Sequence, residues 1–145
     1  YETSEEIIAL SNEIVSHAFS LAADAGCSIQ IHAESGPCAD MIDMATSEGM
    51  NPARVIKHFG TPDTPLMLSL VAKHEEIPNL CRMKREFTME SDYMDENSRP
   101  GAVIGPKSVP RFTLRMLEQG SITEEDLYRI HMHTPRKVYG IEIEL

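Results

Sequence analysis

The stretch ARVIKHFGTPDTPLMLSLVA, residues 53–72, holds two short apolar runs joined by a link rich in glycine, threonine and proline. Residues 53–59 read as a strand that the GTPDTP turn chemistry ends. Residues 66–72 read as the next strand, and their near-unbroken apolar character is that of a strand covered on both faces in a parallel sheet. The link is too short to hold a full helix between the two.

Upstream, residues 3–25 carry Ile7, Leu10, Ile14, Ala18, Leu21 and Ala25 at helical spacing, with a Thr3–Glu6 capping box at the start and Gly26 as the stop. Residues 27–33 form a short strand broken by Ser35 and Gly36, and residues 37–48 a second helix with Gly49 behind it. Downstream come a short helix at 77–84, a strand at 86–91, a long loop at 92–107 and a helix at 108–119 capped by Ser108. A further helix runs from Thr123, boxed with Asp126, to about residue 132, and TPRKVYG adds a last helical turn. The order α-β-α-β-β-α-β-α-α is that of an α/β protein whose parallel sheet is covered by helices. Four strands without edge protection read as half of a (β/α)8 TIM-type barrel, with a doubly wound open sheet as the alternative.

The chain has 145 residues, 41% hydrophobic and 25% charged, which suits one soluble domain over 1–145 with its own core. A net charge of −10 excludes a broadly basic nucleic-acid-binding surface. It leaves nucleic acid open as a substrate, because a cleft can be locally positive. Cys27, Cys38 and Cys81 lie far apart without a CxxC pair, so reduced thiols and a cytoplasmic location are expected. No apolar run approaches the ~20 residues that cross a bilayer, so no membrane is expected. The first residue is Tyr1, which suggests that a preceding segment has been removed or is not shown.

Three strands end in a side chain that can ligate metal: SIQIHAES at His32, RVIKHFG at His58 and FTMESD at Asp92. In parallel α/β folds the carboxyl ends of the strands form the active face, so the three are expected on one rim. Two neutral imidazoles and a carboxylate suit zinc, manganese or iron. Asp92 can also take a proton from water whose pKa a metal has lowered. A cation there explains why Glu90, Asp92, Asp95 and Glu96 crowd a strand end. Each strand-end histidine taken alone also reads as a hydrogen-bonded structural residue. Asp95 and Glu96 read as solvated or as holding the loop, and Glu34 as a partner orienting an imidazole or as solvated. The pair His131 and His133 falls at the end of a helix, where residues two apart face away from each other, and reads as complementing the helix dipole. His17 and His74 are placed on helices. Arg99, Lys107 and Lys57 are candidates to neutralise a phosphate, each equally readable as a surface cation.

IQIHAES, RVIKHFG, FTMESDYMDENSRPGAVIGPKSVP and TPRKVYGI together resemble the TatD-like metal-dependent hydrolases of the amidohydrolase superfamily, most closely the archaeal branch. The resemblance implies a distorted (β/α)8 barrel, of which this chain is the C-terminal half. It implies His32, His58 and Asp92 as metal ligands on the fifth, sixth and last strands, with Asp92 also as general base. It further implies a divalent cofactor, zinc first and manganese, magnesium or iron as alternatives, and hydrolysis of phosphodiester bonds, in particular of DNA. The family's N-terminal His-x-His pair and bridging acid precede the matched region, and His131 and His133 stand in the wrong place to replace them. Two other readings remain open: a superfamily hydrolase of a lactone or amide, and a non-catalytic half-barrel whose open edges favour a homo-oligomer.

Overall fold

The computed structural model describes residues 4–32, 38–72, 74–92, 105 and 107–142. Helix α1, Glu5–Ala25, starts at Ser4, whose side chain accepts the Ile7 N–H at 3.4 Å, and stops at Gly26 with φ 64°. The expected cap, Thr3, lies outside the described residues. Gly26 takes the left-handed conformation that a helix C-terminus needs and that glycine adopts without strain. Four strands follow: β1 Ile29–Ile31, β2 Val55–Lys57, β3 Met67–Val71 and β4 Phe87–Glu90. They pair in the order β1-β2-β3-β4, every pair parallel.

That order separates the two architectures left open above. In a doubly wound sheet the strand order reverses at a switch point, whereas a barrel adds each strand beside the last in one direction. The described sheet grows in one direction only, so it is part of a TIM-type barrel. The link from β2 to β3 contains no helix, as its length requires. Instead Arg85 reaches across and donates to the Pro62 carbonyl at 2.9 Å and the Thr64 carbonyl at 2.5 Å, pinning the turn.

Side chains alternate across the strands. One face turns Ile29, Ile31, Val55 and Leu66 onto α1 and α2 (Asp40–Ser47), where Phe19 and Ala45 are fully buried. Further along, Leu68, Leu70, Phe87 and Met89 pack on α3 (Ile77–Arg82), α4 (Ser108–Glu118) and α5 (Glu124–Tyr128) through Leu80, Met116, Leu117 and Leu127. The opposite face carries Gln30, Ile56, His58, Ser69, Thr88 and Glu90, and it is mostly polar. A face covered by helices is selected for apolar area, while a barrel's inner face near the active end is free to hold hydrogen-bonding groups.

Several local expectations change. Strand β2 begins two residues late, because Asn51 accepts the Ala53 N–H at 3.0 Å and winds Pro52–Arg54 into a 3-10 turn. Ser108 does not cap α4 but is its first residue, and no side chain caps that helix. His74 stands in the turn before α3, where its Nδ1 accepts the Glu76 N–H at 3.3 Å. His131 and His133 do not end a helix either. They lie in a wide π turn, Arg129–His133, that runs on into α6, Thr134–Tyr139. Pro135 has no N–H to bond the carbonyl of His131, and a widened turn just before it relieves that mismatch. The apolar stripe of α1 also turns outward: Ile7, Leu10, Ile14 and Leu21 are exposed, and the buried contacts come from Phe19 and Ala22. Among the described residues, no helix is long and apolar enough to cross a membrane.

Candidate metal centre

The carboxyl ends of β1, β2 and β4 bring the three expected residues together. His58 follows β2, and its backbone N–H continues the ladder to the Ile31 carbonyl at 3.0 Å. His32 follows β1, and its ring centroid lies 5.1 Å from that of His58. Asp92 stands two residues beyond β4, where a φ of 48° turns the chain back. Its Oδ1 reaches 3.5 Å from His58 Nε2. Aspartate enters this left-handed region more readily than most residues.

At the centre of the group is a residue the strand-end pattern did not single out. Glu90, the last residue of β4, accepts His58 Nδ1–H at 2.8 Å on Oε2. The same oxygen accepts the Ser69 hydroxyl at 2.5 Å and Gln30 Nε2 at 3.3 Å. Its Oε1 accepts the Phe59 N–H at 2.9 Å. Phe59 itself has φ 51°, a strained conformation for a bulky side chain, and the Glu90 bond holds that turn directly after His58. A signal was present in the sequence: Gln30 and Glu90 each stand two residues before a strand-end ligand candidate, which on a pleated strand is the same face.

The proton in the His58–Glu90 bond belongs to the imidazole, because a carboxylate only accepts. A neutral His58 then presents the lone pair of Nε2 toward Asp92 Oδ1. The two atoms lie 3.5 Å apart in side chains only 13% and 25% exposed, a contact that is an ion pair when the imidazole carries a second proton and that leaves two donor atoms side by side when it does not. Two ligands held at zinc's bond lengths and at the tetrahedral angle lie about 3.3–3.6 Å apart. The pair therefore fits two corners of such a site. Among the described residues, no group of three or more His, Cys, Asp or Glu side chains that could hold a metal ion stands together. The exposed His32 adjoins the pair without completing it.

The other candidates separate clearly. Lys57 is 4% exposed and donates to the His58 carbonyl at 2.7 Å, so it braces the strand end and does not face solvent. Lys107 is exposed at the start of α4. Glu34, Asp95, Glu96 and Arg99 lie outside the described residues. His131 Nε2 meets Thr113 Oγ1 at 2.9 Å, and burial holds its pKa below the usual value. A cavity of about 420 Å³ lies around the Asp126–Arg129 ion pair, and none of its described lining residues is a strand-end candidate.

A one-directional parallel strand set with imidazoles and carboxylates gathered at its carboxyl ends defines a barrel-type α/β protein. The chain belongs to the TatD related DNase family, whose model matches residues 1–140. It is 36% identical over 154 aligned positions to "Uncharacterized protein MJ1127" of Methanocaldococcus jannaschii, an alignment that covers 100% of this chain and 55% of that protein. The chain thus spans about half the length of this curated relative. No solved structure matches it.

Proposed function

We propose that the chain supplies the C-terminal part of the active site of a metal-dependent hydrolase that cleaves phosphodiester bonds, with nucleic acid as the substrate class. The observation that carries this reading is the 3.5 Å approach of His58 Nε2 to Asp92 Oδ1, with His58 held in its ligating tautomer by Glu90. His32, His58 and Asp92 would hold a divalent ion, zinc first and manganese, magnesium or iron as alternatives. Such an ion, when bound, polarises the scissile group and acidifies water to near neutral pH. His58 contributes an oriented neutral nitrogen, fixed by Glu90. Asp92 has a second oxygen that can take the proton of an attacking water. Family membership supports hydrolysis, and the name of the family supports DNA.

The test is elemental analysis of the purified chain beside a His32→Ala/Asp92→Ala variant, followed by turnover of bis(p-nitrophenyl) phosphate and of a lactone panel. Stoichiometric metal lost in the variant, with turnover of the diester abolished by His58→Ala, is the expected result. Full turnover in His58→Ala would sink the assignment. Turnover of lactones alone would move the substrate class to carboxylic esters. Metal-free chain in both samples would make this part of the barrel scaffold.

A further inference from the structure

A second polar site lies on α4, apart from the rim. A cavity of about 260 Å³ is lined by Gly105, Lys107, Ser108, Arg111, Phe112 and Arg115. Among the described residues, every charged side chain in that lining is a cation, in a chain whose net charge is −10. Lys107, Arg111 and Arg115 recur every four residues, so they share one face of the helix and span about 12 Å along it. Neither Lys107 nor Arg111 has an ion-pair partner among the described residues, and Arg115 lies 5.6 Å from the centroid of the Phe112 ring. No acidic residue occupies the first turn of α4 to neutralise the row.

An independent observation marks the same cavity. The Ser108 hydroxyl is buried and, among the described residues, has no hydrogen-bond partner. A buried hydroxyl without a partner carries a desolvation penalty, and such groups are uncommon in native proteins. Ser108 lines the cavity at the N-terminal end of the cationic row, next to Lys107.

The helix also has the right polarity. After a parallel strand the covering helix runs back along the sheet, so its N-terminus lies at the end where the strand carboxyl termini are. Helix α4 follows β4 in sequence and packs Met116 and Leu117 against the cluster containing Phe87 and Met89. Its cationic row therefore begins on the same end of the sheet as His58 and Asp92.

We infer that the Lys107–Arg111–Arg115 face of α4, with Ser108 and Phe112, binds successive phosphates of a single-stranded nucleic acid. The three cations stand about 6 Å apart along the helix, so each can meet a different phosphate of an extended strand. Spaced single charges beside an aromatic ring suit a strand better than one compact anion, because the backbone is followed by cations and the bases find an apolar face. This inference rests on the phosphodiester reading and adds to it where the strand flanking the scissile bond is held.

The test is fluorescence anisotropy of the chain with labelled oligothymidylate across a salt series. Each phosphate contact to a single strand contributes about 0.7 to the slope of log affinity against log salt. Lys107→Gln/Arg111→Gln/Arg115→Gln is expected to weaken binding about 10-fold or more at low salt and to flatten the slope by about 2. Lys107→Gln/Arg111→Gln, which keeps the Arg115–Phe112 contact, should flatten it by about 1.4. Lys107→Arg/Arg111→Lys/Arg115→Lys should keep the slope of the unaltered chain. Circular dichroism of each variant checks that α4 still forms. Unchanged affinity and slope in folded glutamine variants would overturn the inference. Hydrolysis by the unaltered chain is scored separately. Diester turnover with oligonucleotide binding that ignores these residues defeats only the α4 site. Binding through these residues without any diester turnover defeats only the catalytic reading.

Discussion

Glu90 shows how much one side chain can organise. Its two oxygens collect an imidazole N–H, a hydroxyl, an amide and a backbone N–H from β1, β3 and the two residues that follow β2. Replacing Glu90 with Gln keeps the volume but adds two donors where donors already converge, so the His58 ring loses its fixed orientation. Partners of this kind typically change metal affinity by about 10–100-fold. Zinc titration of Glu90→Gln is expected to show a loss in that range, and unaltered affinity would mean that His58 is not a ligand. Cysteine chemistry divides just as sharply. Burial, reinforced by the nearby Asp126 charge, pushes the Cys81 thiol up to about 11, whereas Cys27 is exposed. Only the thiolate reacts. A thiol reagent at neutral pH is therefore expected to modify Cys27 quickly and Cys81 only after unfolding. Rapid labelling of Cys81 in the folded chain would contradict its buried position on α3.

At the scale of elements, the α5 cap is a pH-sensitive joint. Burial pushes the Asp126 carboxyl up, but the Thr123 N–H, the Thr123 hydroxyl and the Arg129 guanidinium outweigh it and hold the pKa below the ordinary value. A carboxyl depressed in the folded state stabilises above its unfolded pKa of ~3.9 and loses that contribution as pH falls through the folded value. His131 acts in a higher window. Burial lowers its pKa, so below ~6.5 the unfolded chain binds more protons than the folded one and stability falls with pH. Urea unfolding is expected to show a decline below about pH 6.5 that His131→Gln removes, and a second decline below about pH 4 that Asp126→Asn removes. A pH-independent midpoint from 7 down to about 5 would refute the His131 assignment. Gly60 is constrained by space: an added Cβ would meet Leu68 Cδ2 and the Lys57 carbonyl at 3.2 Å, and the Leu68 Cα at 3.3 Å. Gly60→Ala should cost about 1–3 kcal/mol in denaturant titration, because backbone cannot give way as a flexible side chain can. These joints were partly legible. The Thr123–Asp126 box was plain from spacing, whereas Ser108 mimicked a cap and proved to be the first residue of the helix. Capping letters name a preference, and the path of the incoming chain decides whether it is used.

For the molecule as a whole, β1 and β4 each have one neighbour in the described sheet, and α1 exposes Ile7, Leu10, Ile14 and Leu21. Water solvates such surface poorly, and open strand edges template pairing. Sedimentation of the isolated chain is expected to show concentration-dependent association, and one monomeric species at every concentration would count against it. The order of elements, the parallel sheet and the three strand-end ligand candidates were determined by the sequence alone. Those features follow from local periodicity and from where apolar runs stop. The lengths of the strands, the outward turn of the α1 stripe, the π turn that holds His131 and His133, and the Glu90 hub were decided only in three dimensions. The Glu90 hub and the face that α1 buries depend on which partner stands across a gap of twenty or more residues. A pattern of two or three and a half residues carries no record of that partner.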